Sequence, residues 1–173
     1  MNGVAPGRSR LQRLWHLPGR RKQLLMEAGW ALARTAWRVR RWRFARLAAT
    51  LGQLSAAGAC SVAPERQPAP SELVTAREVQ WAIGAWTRRL RPAPTCLMQA
   101  AAAQGLLARR GLASTLYFGV QSLTATASGP GSQSARGAHA WLQCAGLIVT
   151  GEREAAAFRP IAAYRLAPED RNP

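Results

Sequence analysis

The chain has 173 residues, 48% of them hydrophobic, enough for one ordinary domain with a real core. Its formal charge is +16, but twelve of the 24 basic residues fall within residues 1–46 against one acid, Glu27, so the charge is local and implies an acidic contact there. Three cysteines and two histidines without ligand-like spacing argue against a metal site, and no run is apolar enough to span a membrane.

The start, "MNGVAPGRSRLQRLWHLPGRRKQ", lacks the continuous apolar core of an export signal, and residues 1–10 read as disordered. The stretch "LAATLGQLSAAGAC" (47–60) ends in a cysteine as a lipoprotein box does, but it lies too far in and is too rich in small and polar residues. A cytoplasmic chain with reduced thiols is expected. From Arg21 to about Leu51, apolar residues recur at Leu24, Leu25, Ala28, Leu32, Ala36 and Val39, which predicts a helix. Arg34, Arg38 and Arg41 share another face, and Trp30, Trp37 and Trp42 ride on the same segment. Two readings fit: a packed helix with a solvated basic face, or a helix that docks on a membrane surface or a partner through residues 21–46. Residues 1–54 thus read as a basic amphipathic helical extension, 55–71 as a Pro/Ala/Ser linker and 72–173 as the main domain.

Ser71 is an expected N-cap for a helix over 72–90, with Val79, Ile83, Trp86 and Leu90 as its buried line. "TCLMQAAAAQGLLARRG" predicts a second helix from Cys96 to about 110, capped by Thr95 and stopped by Gly111. "STLYFGV" (114–120) is rich in strand formers, and 124–137 reads as a long flexible Gly/Ser/Thr loop. "AHAWLQC" and "LIVTGE" flank Ala145-Gly146 as a hairpin would. Helices first and antiparallel strands after predict an α+β domain in which the cysteine helix packs against a small sheet.

A free thiol is mostly protonated at neutral pH and is then a poor nucleophile. The first turn of a helix supplies partial positive charge and unpaired N–H donors, which favour thiolate at Cys96 and could hold the oxyanion of a tetrahedral intermediate. His139, in a predicted strand, is the expected base. A cysteine at a helix start followed by a strand histidine is the layout of papain-like and transglutaminase-like thiol enzymes. With a two-residue turn at Ala145-Gly146, Cys144 faces Leu147, and counting outward sets His139 opposite Glu152, which becomes the expected orienting carboxylate. Glu154 is the substitute on the same face, and Asp170 is more distant in sequence. Cys60, Cys144 and His16 lack such settings.

"TCLMQAAAAQGLLARRGLASTLYFGV", a variable loop, "AHAWLQCAGLIVTGE" and the trailing "FRPIAAYRL" together resemble the leader-peptidase half of the lasso-peptide maturation B proteins, members of the transglutaminase-like superfamily. The resemblance covers about 72–165 and rests on the ordered occurrence of Cys96-Leu97, Arg109-Arg110-Gly111, Gly119-Val120 and Ala138-His139-Ala140-Trp141. The basic Trp/Leu/Arg-rich first helix is similar to that of stand-alone versions. The resemblance implies a transglutaminase-like (papain-like) core without cofactor. Cys96 would be its nucleophile, His139 its base and then acid, and an acidic residue after the hairpin its third member. Family members usually carry aspartate where this chain has Gly151, and often Asp-Gly where it has Ala145-Gly146.

The implied reaction is cleavage between leader and core of a ribosomal precursor peptide through a thioester acyl-enzyme. The freed core passes to a separate ATP-using cyclase that resembles asparagine synthetase. Fused relatives carry a small leader-recognition domain ahead of the peptidase. Residues 1–70 lack that strand-rich pattern, so leader binding is expected from a separate small protein. Two rival readings are another acyltransferase or amidase of the superfamily, and a non-enzymatic basic module for nucleic acid or membrane. The last leaves the Cys96/His139 layout unexplained, and no nucleic-acid partner is expected.

Overall fold

The computed structural model describes residues 18–56, 67–121 and 137–168. The expectations for residues 1–10, His16, Cys60, most of the linker, nearly all of the 124–137 loop and Asp170 lie outside the described residues, as does the side chain of Glu154. In chain order the elements are α1 (Gly19–Arg41), α2 (Phe44–Ala48), β1 (Gln53–Ala56), α3 (Pro70–Thr87), α4 (Cys96–Ala108), β2 (Ser114–Gln121), β3 (Ala138–Cys144), β4 (Leu147–Thr150), α5 (Glu152–Ala155) and β5 (Phe158–Leu166). The strands form one antiparallel sheet in the order β1-β5-β2-β3-β4. This is the α+β arrangement expected.

The segment read as one helix to Leu51 breaks at Trp42, whose extended backbone (φ −99°, ψ 147°) stops α1. Two guanidinium groups lie over the Trp42 ring, Arg38 at 4.9 Å and Arg46 at 4.6 Å, so cation–π attraction ties the break to residues before and after it in the chain. Helix α1 shares the main core rather than standing apart as an extension: Leu24, Ala28, Ala31 and Leu32 are buried in one cluster with residues of α3, α4 and the sheet. The Trp86 indole of α3 donates to Leu25 O at 2.8 Å, and Arg110 beyond α4 pairs with Glu27 of α1. That guanidinium holds the Glu27 carboxyl below the usual carboxylate range. Part of the expected linker also differs, because Gln53–Ala56 pairs with β5 as an edge strand.

Helix α3 begins two residues earlier than Ser71 predicts. Pro70 occupies the first helical position, and Glu72 reaches back to accept from the Ala69 N–H at 2.9 Å. Helix α4 matches its predicted start and ends at Ala108, with Gly111 (φ +72°) following. Its sequence is apolar on nearly every side, so it is central, packed on α1 and α3 and on the sheet. Its one buried polar side chain, Gln104, donates to Leu51 O at 3.1 Å and Tyr164 O at 3.3 Å.

The hairpin turn is as read: Cys144 faces Leu147, and both turn residues have positive φ, 51° at Ala145 and 75° at Gly146. Beyond it the register shifts, so that Leu142 faces Thr150 while Gln143 faces Ile148 and Val149 is the extra residue. Ala145 carries the steric cost of a left-handed conformation that asparagine tolerates better. Ala145→Asn should raise unfolding stability by about 0.5–1 kcal/mol in urea titrations, and an unchanged or lower midpoint would contradict the turn geometry.

Candidate active site

The site is built on the first turn of α4. Thr95 is its N-cap, with Oγ1 accepting from the Met98 N–H at 3.3 Å, and the Gln99 amide donates to Pro94 O at 2.8 Å. Cys96 is therefore the first helical residue, its thiol free and half-buried against the edge of the core. The N–H groups of Cys96 and Leu97 precede the intrahelical ladder and remain available as donors beside the sulfur, at the positive end of the helix dipole.

The fold brings Cys96 and His139 to the same end of the sheet. Helix α4 joins β2 through residues 109–113 and so runs back along it; its N-terminus lies where β2 ends and β3 begins. Gln104 ties the helix to Tyr164, which pairs with Leu116, itself opposite Leu142. Cys96 lies eight residues back from Gln104, about 12 Å along the helix, and His139 three residues back from Leu142, about 10 Å along the strand. Both residues therefore lie toward that end of the sheet.

Their side chains nevertheless have different neighbours. Alternation along β3 sends Ala140, Leu142 and Cys144 into the helix-side core, while Trp141 joins Tyr117 and Ala163 on the other face. His139 follows Trp141: its ring stacks on that indole (centroids 6.2 Å) and tilts against Phe158 (5.0 Å). Among the described residues no hydrogen bond joins the Cys96 thiol to the imidazole.

Glu152 does not reach His139. The bulge at Val149 breaks the register on which their pairing depended, β4 ends at Thr150, and Glu152 is an exposed residue opening α5. The ring instead meets the main chain one residue earlier, with Nε2 3.4 Å from Gly151 O. A carbonyl only accepts, so in this contact Nε2 is the donor. The same oxygen accepts from the Ala155 N–H at 3.0 Å, which fixes its direction. Gly151 has φ +79°, and a Cβ there would lie 2.7 Å from Nε2, so a side chain at 151 and this ring position exclude each other. The strand partner of His139 is Gly119, where a Cβ would meet the Trp141 ring at 2.7 Å. Spacing by two from His139 to Trp141 was readable in the sequence; the Gly151 contact was not, because the bulge hides it.

The other described thiol, Cys144, is buried, and burial foremost, with the Glu72 charge adding, pushes it up to about 11. It is a packing residue.

Comparison with known families finds a match to a family described as the Transglutaminase-like superfamily over residues 38–163. Comparisons with curated proteins and with solved structures found no match.

Iodoacetamide at neutral pH should alkylate Cys96 in the folded protein while Cys144 stays unmodified, and Cys144 should react only as pH rises toward its raised value. Peptide mapping by mass spectrometry reads both; comparable labelling of the two at pH 7 would contradict the assignment of roles.

Proposed function

The chain belongs to the transglutaminase-like superfamily, and from that premise we propose that it is a cysteine peptidase that removes the leader from a lasso-peptide precursor. The reading rests most on Cys96, the first residue of a Thr95-capped helix, at the sheet end that also carries His139. The ordered Cys-Leu, Arg-Arg-Gly, Gly-Val and Ala-His-Ala-Trp segments support the finer assignment to leader removal.

In this reaction His139 Nδ1 takes the Cys96 proton as Sγ attacks the carbonyl carbon of the scissile bond. The oxyanion is held by the N–H groups of the first helical turn. Collapse breaks the C–N bond, and the imidazolium returns its proton to the departing nitrogen, which becomes the free amine of the core. The leader stays on sulfur as a thioester. Water, deprotonated by the same imidazole, then releases it as a carboxylate. Bringing sulfur and ring together needs His139 to turn toward the helix end when substrate binds, and apo geometry in such sites commonly tightens on binding. Gly151 O fills the orienting role expected of Glu152. Residues 18–56 supply two helices and one strand to the domain itself, which supports assigning leader recognition to a separate small protein.

Incubation of the protein with a candidate precursor and its leader-binding protein should give, by mass spectrometry, a cleaved leader and a core with a free amine. A mass-shifted adduct would instead assign amide transfer. Cys96→Ala and His139→Ala should each lower the rate by at least about 10³-fold with circular dichroism unchanged, and full turnover in either would end the proposal. Glu152→Gln should stay within about threefold of the parent rate, as an exposed residue outside the site does. A loss of several hundredfold would restore it as the orienting acid.

A further inference from the structure

Helix α1 buries one face and leaves the other uncovered in a patterned way. Leu24, Ala28, Ala31, Leu32 and Thr35 are buried, whereas Met26, Trp30 and Trp37 are 72%, 67% and 55% exposed. With exposed Ala33, these three recur at intervals of four, three and four, so they form one ridge along about 16 Å of helix. Cations border the ridge on both sides. At 100° per residue, Arg40 falls on one flank and Arg34 and Arg41 on the other, all exposed. The single acid of α1, Glu27, is engaged with Arg110 and Gln23. At the end of the ridge Trp37 meets Trp42 edge-on at 6.2 Å, and Arg38 and Arg46 lie over the Trp42 ring.

An apolar ridge of tryptophan and methionine with Arg40 on one flank and Arg34 and Arg41 on the other matches the layering of an anionic bilayer surface. Indoles and thioether sit at the acyl boundary while guanidinium groups meet lipid phosphates. Nucleic acid would engage the arginines but leave the ridge in water. No described helix is long and apolar enough to cross a membrane, so the fit is to lying on the surface. We propose that the outer face of α1 docks the protein peripherally on anionic membrane through Met26, Trp30 and Trp37 flanked by Arg34, Arg40 and Arg41. None of these residues belongs to the candidate active site, so the proposal stands apart from the peptidase reading.

The test uses the full chain with vesicles of phosphatidylcholine alone or mixed equally with phosphatidylglycerol, in about 0.15 M salt. Co-sedimentation should show affinity at least about tenfold higher for the anionic vesicles, and brominated acyl chains should quench tryptophan emission. The Met26→Ser/Trp30→Ser/Trp37→Ser variant should lose about tenfold or more in affinity and most of the quenching, and Arg34→Glu/Arg40→Glu/Arg41→Glu should abolish anionic preference. An unfolding midpoint within a few degrees of the parent checks that each variant is folded. Equal affinity for both vesicle types overturns the proposal, as does binding unaffected by the apolar triple substitution. Capture of the leader-binding protein or the cyclase through this ridge, with no vesicle binding, overturns it in favour of a protein partner.

Discussion

The structure turns on one buried amide. Gln104, 1% exposed, donates to Leu51 O and Tyr164 O and so fixes both the height and the rotation of α4 against the sheet. An Ala-rich helix has little shape with which to set its own position: Ala100, Ala102 and Ala103 allow close approach but would tolerate sliding. A polar group that must find two carbonyls in a dry interior does not tolerate it, since leaving such a group unpaired costs about 1–3 kcal/mol. Because the Cys96 end of that helix is two turns away, the same two hydrogen bonds set where the thiol stands.

The sheet divides the chemistry between its faces. Helices α1, α3 and α4 cover one side with a single aliphatic core, and the other carries a smaller cluster in which Tyr117 stacks on Trp141 at 5.5 Å. His139 is seated in that cluster by Trp141, Phe158 and Gly151 O, and Gly119 beneath the indole gives the stack its room. Cys96 and His139 are therefore positioned by different parts of the core. In the proposed reaction, their approach is a movement that the aromatic cluster has to permit.

Local chemistry made much of this legible in the sequence. Thr95 and Gly111 bracket α4 because capping and left-handed termination are decided by a few adjacent residues, and the Ala145-Gly146 turn follows from hairpin pattern in the same way. What depends on longer counting was not legible. One extra residue at Val149 moves every position beyond it, so Glu152 leaves the strand and Gly151 inherits its place beside the ring. Strand β5 carries Pro160, which ordinarily argues against a strand interior; among the described residues β1 pairs only with Ala162–Arg165, so Pro160 has a ladder partner on the β2 side alone. The role of α1 was hidden for another reason: helical spacing identifies an apolar face but not whether its own domain or a partner covers it.

A peptide carbonyl holding an imidazole differs in kind from a carboxylate doing so. Gly151 O belongs to the main chain, so no side-chain substitution deletes it as an acceptor. Only a change in the path of the backbone there, such as one at the Val149 bulge, would withdraw this oxygen from the ring.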